Sequence, residues 1–385
     1  MSAMIPDTIR ILTLILVLCS LSYFLVCFIA ARKFFSRHPA MESAEQPPAS
    51  ILIPLCGTDL DAYENYASFC NQDYPQYQIL FGVMDPEDPS IPLVQQLRVD
   101  FPQTDIELVI GREQIGWNPK VNNLWNIYPR ARYDRILLVD SDIRVERDYL
   151  KRVVPMLNDA RTGLVTCLYR GRRAPNRWAR FESVGITGEF APGVLVAWLT
   201  QGIRFAFGAT IATTRERLAS IGGLKAIADY LADDYMLGSL VAKDGYRVEL
   251  APCVVETMLP PLSFSNMIRH QVRWHRAIKA SRRGGYVGSI LTHGTSLALL
   301  NALLWSGTPA GIFLLLFTMG CQLFMGWYVG VRCMGDEILK RNLFLLPLRD
   351  ILSLAVWCIS LCGNTVEWRG NTYRISRDGK MTPVS

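Results

Sequence analysis

Apolar positions in this chain fall into runs of two lengths, and the difference divides the protein into parts. Residues 11–31, ILTLILVLCSLSYFLVCFIAA, hold no charge and are long enough to cross about 30 Å of hydrocarbon as a helix. A cleaved signal peptide fits less well, because the run is too long and the basic stretch ARKFFSRH comes directly after it. Basic residues at that border place the chain beyond them on the cytosolic side. Residues 286–306 and 307–331 also lack Asp, Glu, Lys and Arg, with Gly307-Thr308-Pro309 reading as a tight turn between them. Residues 343–363 are less uniform, since Pro347, Arg349 and Asp350 interrupt them. The connector carries Arg332, Lys340 and Arg341, and the tail carries Arg369, Arg374, Arg377 and Lys380. Both therefore favour the cytosol. The pattern predicts that 343–363 is re-entrant or interfacial, bringing EWRGNTYRI (367–375) back towards the globular part.

Between these ends the apolar runs are short. SILIPL (50–55), YQILFGVMD (77–85), IELVI (106–110) and RILLVD (135–140) alternate with helical patterns at 61–70, 90–100 and beyond 120. That alternation predicts an α/β domain with a mostly parallel sheet covered on both faces. The expected organisation is a membrane anchor at 1–33, a linker at 34–47 and a globular domain at 48–262. A basic interfacial helix at 263–285, a membrane region at 286–363 and a tail at 364–385 complete the chain.

Composition narrows the function. Of 385 residues 50% are hydrophobic and only 19% charged, with a net charge of +6. This suits an anionic membrane surface or an anionic nucleotide. Basic and aromatic residues do not interleave as on a nucleic-acid platform, so a nucleic-acid partner is not expected. The ten cysteines show no paired metal spacing, which fits a reducing compartment without zinc or structural disulfides.

The candidate chemistry sits at strand tips. The second run ends on Asp85, and the fourth ends in Asp140-Ser141-Asp142. Asp-Ser-Asp is ordinary turn chemistry, but Mg²⁺ or Mn²⁺ also takes one or two carboxylates plus substrate phosphates. In open α/β sheets ligands gather beyond the carboxyl ends of strands. Between the two tips lies GWNPKVNNLWN, 116–126. Pro119 disfavours helix at Asn118, so Asn118 and Lys120 are expected on a loop with the helix starting at Val121. Lys120 reads either as a phosphate contact or as a solvated loop lysine. Asp233 and Asp234 open an apolar helix, where capping and the helix dipole explain one of them. The apolar stretch 190–212 reads equally as core or as a lipid entrance, and the basic, aromatic helix at 265–283 as a helix lying in the membrane interface.

In this order PLCGTD (54–59), VMDPEDP (83–89), NPKVNN (118–123), LLVDSDIRV (137–145), YLADDYM (230–236), HQVRW (270–274) and EWRGNTYRI resemble the inverting GT-A type glycosyltransferases. Among these the chain is most similar to the ceramide glucosyltransferase family and its bacterial relatives. The resemblance implies a GT-A nucleotide-sugar-binding domain and an integral membrane enzyme with its catalytic domain on the cytosolic face. It would move glucose from UDP-glucose to a membrane lipid hydroxyl, most like ceramide. Transfer of another UDP-hexose or UDP-N-acetylhexosamine to a hopanoid or diacylglycerol is the alternative, and a non-catalytic UDP-sugar-binding membrane scaffold a further one. The resemblance implies Asp234 as catalytic base and Asp140 with Asp142 as ligands of Mg²⁺ or Mn²⁺. For the donor it implies Pro54, Gly57, Asp85, Asn118, Lys120, Asp140, Arg273 and Trp274. His270 departs from the Gln or Arg that opens the family's Arg-Trp motif.

Overall fold

The computed structural model describes residues 7–37, 45–368 and 370–384. Arg369 of the tail, His38 of the basic stretch and part of the expected linker lie outside the described residues. In chain order, helix α1 (Asp7–Phe35) precedes β1 (Ala49–Pro54), α2 (Ala62–Cys70), β2 (Tyr77–Val83), α3 (Ile91–Asp100), β3 (Asp105–Ile110) and α4 (Pro119–Ile127). Next come β4 (Arg135–Leu138), β5 (Ile143–Arg144), α5 (Tyr149–Val153) and β6 (Thr162–Arg173). Helix α6 (Arg177–Gly185), a π-helical turn (Ile186–Phe190) and α7 (Ala191–Gln201) run on from one another. They lead to β7 (Ile211–Thr214), α8 (Arg215–Ser220), α9 (Asp233–Lys243) and β8 (Arg247–Met258). Helices α10 (Phe264–Ser281), α11 (Arg283–Gly288), α12 (Gly294–Leu304), α13 (Pro309–Gly326), α14 (Glu337–Asn342) and α15 (Leu346–Leu361) come after β8. The chain closes with β9 (Thr365–Trp368), β10 (Asn371–Ile375) and β11 (Met381–Pro383).

These elements form two compact units. The sheet unit comprises Arg37–Arg173, Gln201–Pro260 and Glu367–Ser385, and the helical unit Met1–Ser36, Ala174–Thr200 and Pro261–Val366. The units thus divide differently from the expected linear boundaries: 174–200 joins the apolar helices, and the tail joins the sheet.

The main sheet has the order β3-β2-β1-β4-β7-β6-β8-β5. Strands β3, β2, β1 and β4 run parallel. Antiparallel pairs enter at β4–β7, β7–β6 and β8–β5, while β6–β8 is parallel. Ile51, Leu52, Ile53, Ile79, Leu80, Phe81, Ile136, Leu137 and Leu138 are all buried, as expected of parallel strands covered on both faces. Burying one such side chain fully contributes about 1.5–3 kcal/mol. Strand order reverses between β1 and β4, which makes a crevice beyond their carboxyl ends. Leu52 pairs with Leu138, so Pro54 and Asp140, each two residues farther on, emerge side by side at that crevice.

Among the described residues of the helical unit four helices are long and apolar enough to cross a membrane: Asp7–Phe35, Arg177–Gln201, Pro309–Cys333 and Glu337–Leu361. A fifth candidate, Arg283–Thr292 with Gly294–Leu304, is bent by 63°. The 190–212 stretch therefore lies partly on an apolar helix that begins earlier than its sequence suggests. Small residues let α1 and α12 meet closely: a β-carbon on Gly294 would lie 2.8 Å from the Phe24 ring. Farther along the same pair, Asn301 Nδ2 donates to Thr13 Oγ1 at 2.9 Å. The charges that interrupt 343–363 are paired or hydrogen-bonded inside the unit. Arg349 Nε meets Glu189 at 3.1 Å, and Asp350 accepts from the amide and hydroxyl of Ser296 at 2.7 and 2.8 Å.

Candidate active site

The site begins with the cap of α4. Pro119 suits the first helical position because its φ is fixed there and it has no N–H to leave unpaired. Asn118 supplies the cap, its Oδ1 accepting from the amides of Lys120 (2.9 Å) and Val121 (3.1 Å). The helix thus starts two residues before the expected Val121, and Lys120 stands in its first turn rather than on a loop. A helix holds the lysine in one direction, where a loop would not. The Asn118 Nδ2 donates to the Tyr230 carbonyl at 2.8 Å and to Asp233 at 3.2 Å. One fully buried amide therefore ties the start of α4 to the approach of α9.

Lys120 Nζ lies 2.5 Å from Asp140 Oδ1 and 3.6 Å from Asp233 Oδ2. Neither aspartate at the start of α9 caps it; Ala232 occupies that position without a side-chain bond. Asp234 instead accepts from the Gly208 amide at 2.9 Å and from the Tyr235 amide at 2.7 Å. The Gly208 carbonyl in turn receives the Asp140 amide at 3.1 Å. A β-carbon at Gly208 would lie 2.3 Å from Asp140 Oδ2 and 3.0 Å from Lys120 Nζ. Only glycine lets the backbone pass here while holding two carboxylates.

Charge is unbalanced in this cluster. Burial would lower the Lys120 pKa, but Asp140, Asp233 and Asp234 outweigh it and raise the value. Burial, then repulsion from Asp233, pushes Asp234 up to about 6 against the pull of Lys120. Burial also raises Asp233. Asp142 rises to about 7, first through burial and then through the charge of Asp140, with a Thr257 hydrogen bond opposing. That bond runs from Thr257 Oγ1 to Asp142 Oδ2 at 2.7 Å.

No group of three or more metal-ligating side chains converges among the described residues. A pair of carboxylates still fits a hard divalent cation, which keeps waters and takes oxygens from a substrate phosphate. The supporting observation is the excess negative charge at Asp140 and Asp142, which Lys120 alone does not balance.

The other expected donor residues stand at the same sheet edge or elsewhere. Gly57 has φ 75°, a conformation that favours glycine, and its amide donates to Asp88 at 2.8 Å. Asp88 also accepts from the Ser90 hydroxyl at 2.6 Å, so it joins the loops after β1 and β2. Asp85 is exposed and accepts from the Glu87 amide at 3.0 Å. Arg273 and Trp274 belong to α10 of the helical unit. Sequence reasoning missed three contributors. Gly208 was legible only as one of several glycines, Asp233 only as a cap, and Asp88 only as part of VMDPEDP, without a role of its own. Asp88-Pro89-Ser90, a common turn and cap pattern, is the signal that could have found the last.

Three comparisons bear on this arrangement. The sequence profile of glycosyl transferase family 21 matches residues 12–381. Ceramide glucosyltransferase 3 of Caenorhabditis elegans is 25% identical over 370 residues, covering 91% of this chain and 78% of that protein. Ceramide glucosyltransferase 1 of the same organism is 25% identical over 346 residues, covering 87% and 73%. Among solved structures, a mannosyltransferase from Pyrobaculum calidifontis in complex with GDP-Man and Mn²⁺ has a TM-score of 0.54 at 16% identity. It covers 91% of this chain and 98% of its own, which shows a shared glycosyltransferase fold.

Proposed function

The chain belongs to glycosyl transferase family 21, and from that premise we propose that it moves glucose from UDP-glucose to the hydroxyl of a membrane lipid, ceramide in the first place. Membership and the ceramide glucosyltransferase relatives make it a hexosyltransferase of lipids. The observation that carries the mechanism is the half-buried cluster of Asp140, Asp233, Asp234 and Lys120 at the β1–β4 crevice.

Asp234 acts as the base. Its carboxyl, raised to about 6, is ionised at neutral pH yet close enough to neutrality to hold a proton well, the compromise a general base needs. It takes the proton of the acceptor hydroxyl as that oxygen bonds to the anomeric carbon. The bond from that carbon to the UDP oxygen breaks on the opposite face, so the configuration inverts. Lys120, fixed by its helix turn, supplies positive charge where the diphosphate departs. Asp140 and Asp142 are the residues that would hold Mg²⁺ or Mn²⁺; bound there, the ion's contribution is Lewis-acid neutralisation of the leaving diphosphate. Pro54, Gly57, Asp85 and Asn118 frame the donor side of the crevice, and the family resemblance adds Arg273 and Trp274 as donor contacts. Anchoring the enzyme in the bilayer is economical, because extracting a lipid exposes chain at about 0.8 kcal/mol per CH₂.

The test is UDP release by the purified chain in lipid nanodiscs with UDP-glucose and a divalent cation, with and without ceramide. Ceramide-dependent release accompanied by a β-glucosylated lipid supports the reading. Release that ignores the lipid, or no release with any UDP-hexose, contradicts it.

A further inference from the structure

The helical unit carries a second polar centre that the transfer chemistry does not use. It lies where α6, its π-helical continuation, α10 and α15 pack together. Glu182, Gln271 and Arg349 are each no more than 4% exposed. Gln271 Nε2 donates to Glu182 at 3.5 Å, and Arg349 Nη2 donates to the Gln271 Oε1 at 2.5 Å. Arg349 Nε and the Ser353 hydroxyl both donate to Glu189 Oε2, at 3.1 and 2.8 Å. Ionisable groups on apolar helices are costly, and where they occur they mark ligand or ion sites. Glu189 sits in the π-helical turn, an irregularity that recurs at functional sites.

The network is built but not closed. Glu189 Oε1 and Arg349 Nη1 are both buried and neither has a hydrogen-bond partner. A purely structural ion pair would use both carboxylate oxygens and the second guanidinium nitrogen, since each unpaired buried group is unfavourable. Space has been made for the guanidinium as well: a β-carbon on Gly185 would lie 2.7 Å from three of its atoms. We propose that Glu189 Oε1 and Arg349 Nη1 receive the polar head of the lipid acceptor and select one that carries a hydrogen-bond donor and a carbonyl together. The deduction rests on the lipid-transfer reading above and names residues for its acceptor. A hydroxy-amide lipid satisfies both atoms, with its N–H or second O–H on Glu189 and its amide carbonyl on Arg349. A diacylglycerol offers ester carbonyls to Arg349 but, beyond its reacting hydroxyl, no donor for Glu189.

The experiment is equilibrium binding of a short-chain fluorescent ceramide, and of a matched diacylglycerol, to the full chain in phosphatidylcholine nanodiscs with UDP present. In Glu189→Gln the amide oxygen must stay towards Arg349 Nε and Ser353, which both donate, so the NH₂ replaces Oε1 and repels a donor. Ceramide affinity is expected to fall at least tenfold while diacylglycerol affinity changes less than twofold. Equal weakening for both lipids, or none for ceramide, overturns the proposal and leaves an internal salt bridge. Should Glu189→Gln lower the melting temperature strongly, Ser353→Ala, which frees Glu189 without removing its charge, must still lower the ceramide preference; an unchanged preference is equally fatal. Ceramide binding through Glu189 in a chain that releases no UDP would sink the transferase reading and leave this one. A working transferase indifferent to Glu189 would do the reverse.

Discussion

Gly208 shows how little room the catalytic cluster has. Its amide holds Asp234 and its carbonyl holds Asp140, and a methyl group there would strike the Asp140 carboxylate at 2.3 Å. Gly208→Ala is therefore expected to cut turnover at least a hundredfold with the melting temperature little changed. Steady-state rates and thermal unfolding check this, and a rate within threefold of wild type would show that Asp140 can move aside freely. The pH profile makes a second demand. The Asp234 pKa is raised to about 6 by burial and then Asp233, so the proposed base is ionised above that pH and protonated below it. Turnover should fall tenfold per unit as pH drops below about 6, and a rate constant flat to pH 5 would argue against Asp234. Asp142→Ala should raise the Mg²⁺ or Mn²⁺ concentration needed for half-maximal rate without unfolding the sheet, since Asp142 lies at a strand tip; an unchanged metal titration would return it to a turn residue. At this scale the sequence was most informative about side chains whose type announces chemistry, such as Asp140, Lys120 and Asp234. It was least informative about Gly208, whose role is the absence of a side chain and depends on what the fold places opposite.

Elements were legible where one period dominates. The four strands β1 to β4 lie within a residue or two of their expected ranges because buried parallel strands are continuously apolar. The start of α4 was misjudged because Asn118 is extended, as the residue before proline should be, yet its side chain begins the helix anyway. The C-terminal hairpin could not be anticipated in detail, since its pairing is long-range. There β10 and β11 pair antiparallel, the Met381 amide donates to the Asp229 carbonyl at 2.7 Å, and Tyr230 bridges Lys380. The tail thereby fastens the stretch that leads to Asp233 and that Asn118 grips from the other side. Truncation after Ile375 is expected to lower kcat/KM for the donor about tenfold or more while the protein still inserts and folds. Unchanged donor kinetics in the truncated chain would make the hairpin irrelevant to the site.

For the whole molecule, connectivity restricts how the chain meets a bilayer. In the chain, segment 261–366 lies between two parts of the sheet unit, so a topology with that unit wholly on one side of the bilayer predicts an even number of crossings. Leu304 at the end of α12 receives a hydrogen bond from Arg10, near the start of α1, whereas Phe324 and Tyr328 pack on Phe28 near its end. Helix α12 thus runs antiparallel to α1 and α13 runs parallel to it. Trp357 of α15 stacks on Tyr286 of α11. Helices α6 and α7 likewise lie in the chain between two segments of the sheet unit, so a topology that keeps that unit on one side of the bilayer predicts that they do not cross completely. Cysteine labelling in oriented vesicles should therefore reach Ser306→Cys from the non-cytosolic side and Arg377→Cys from the cytosolic side. Labelling of both from one side would contradict the topology. The central claim is that Asp234 is the base of a sugar transfer to lipid, and the most direct measurement compares wild type with Asp234→Asn in nanodiscs containing ceramide, reading glucosylated lipid by mass spectrometry and UDP-glucose affinity in parallel. General-base catalysis is worth roughly 10²–10⁴ in rate, so the variant should lose at least a hundredfold in transfer with donor affinity within about threefold. Transfer by Asp234→Asn within tenfold of wild type, a barrier change of only about 1.4 kcal/mol, would contradict that claim.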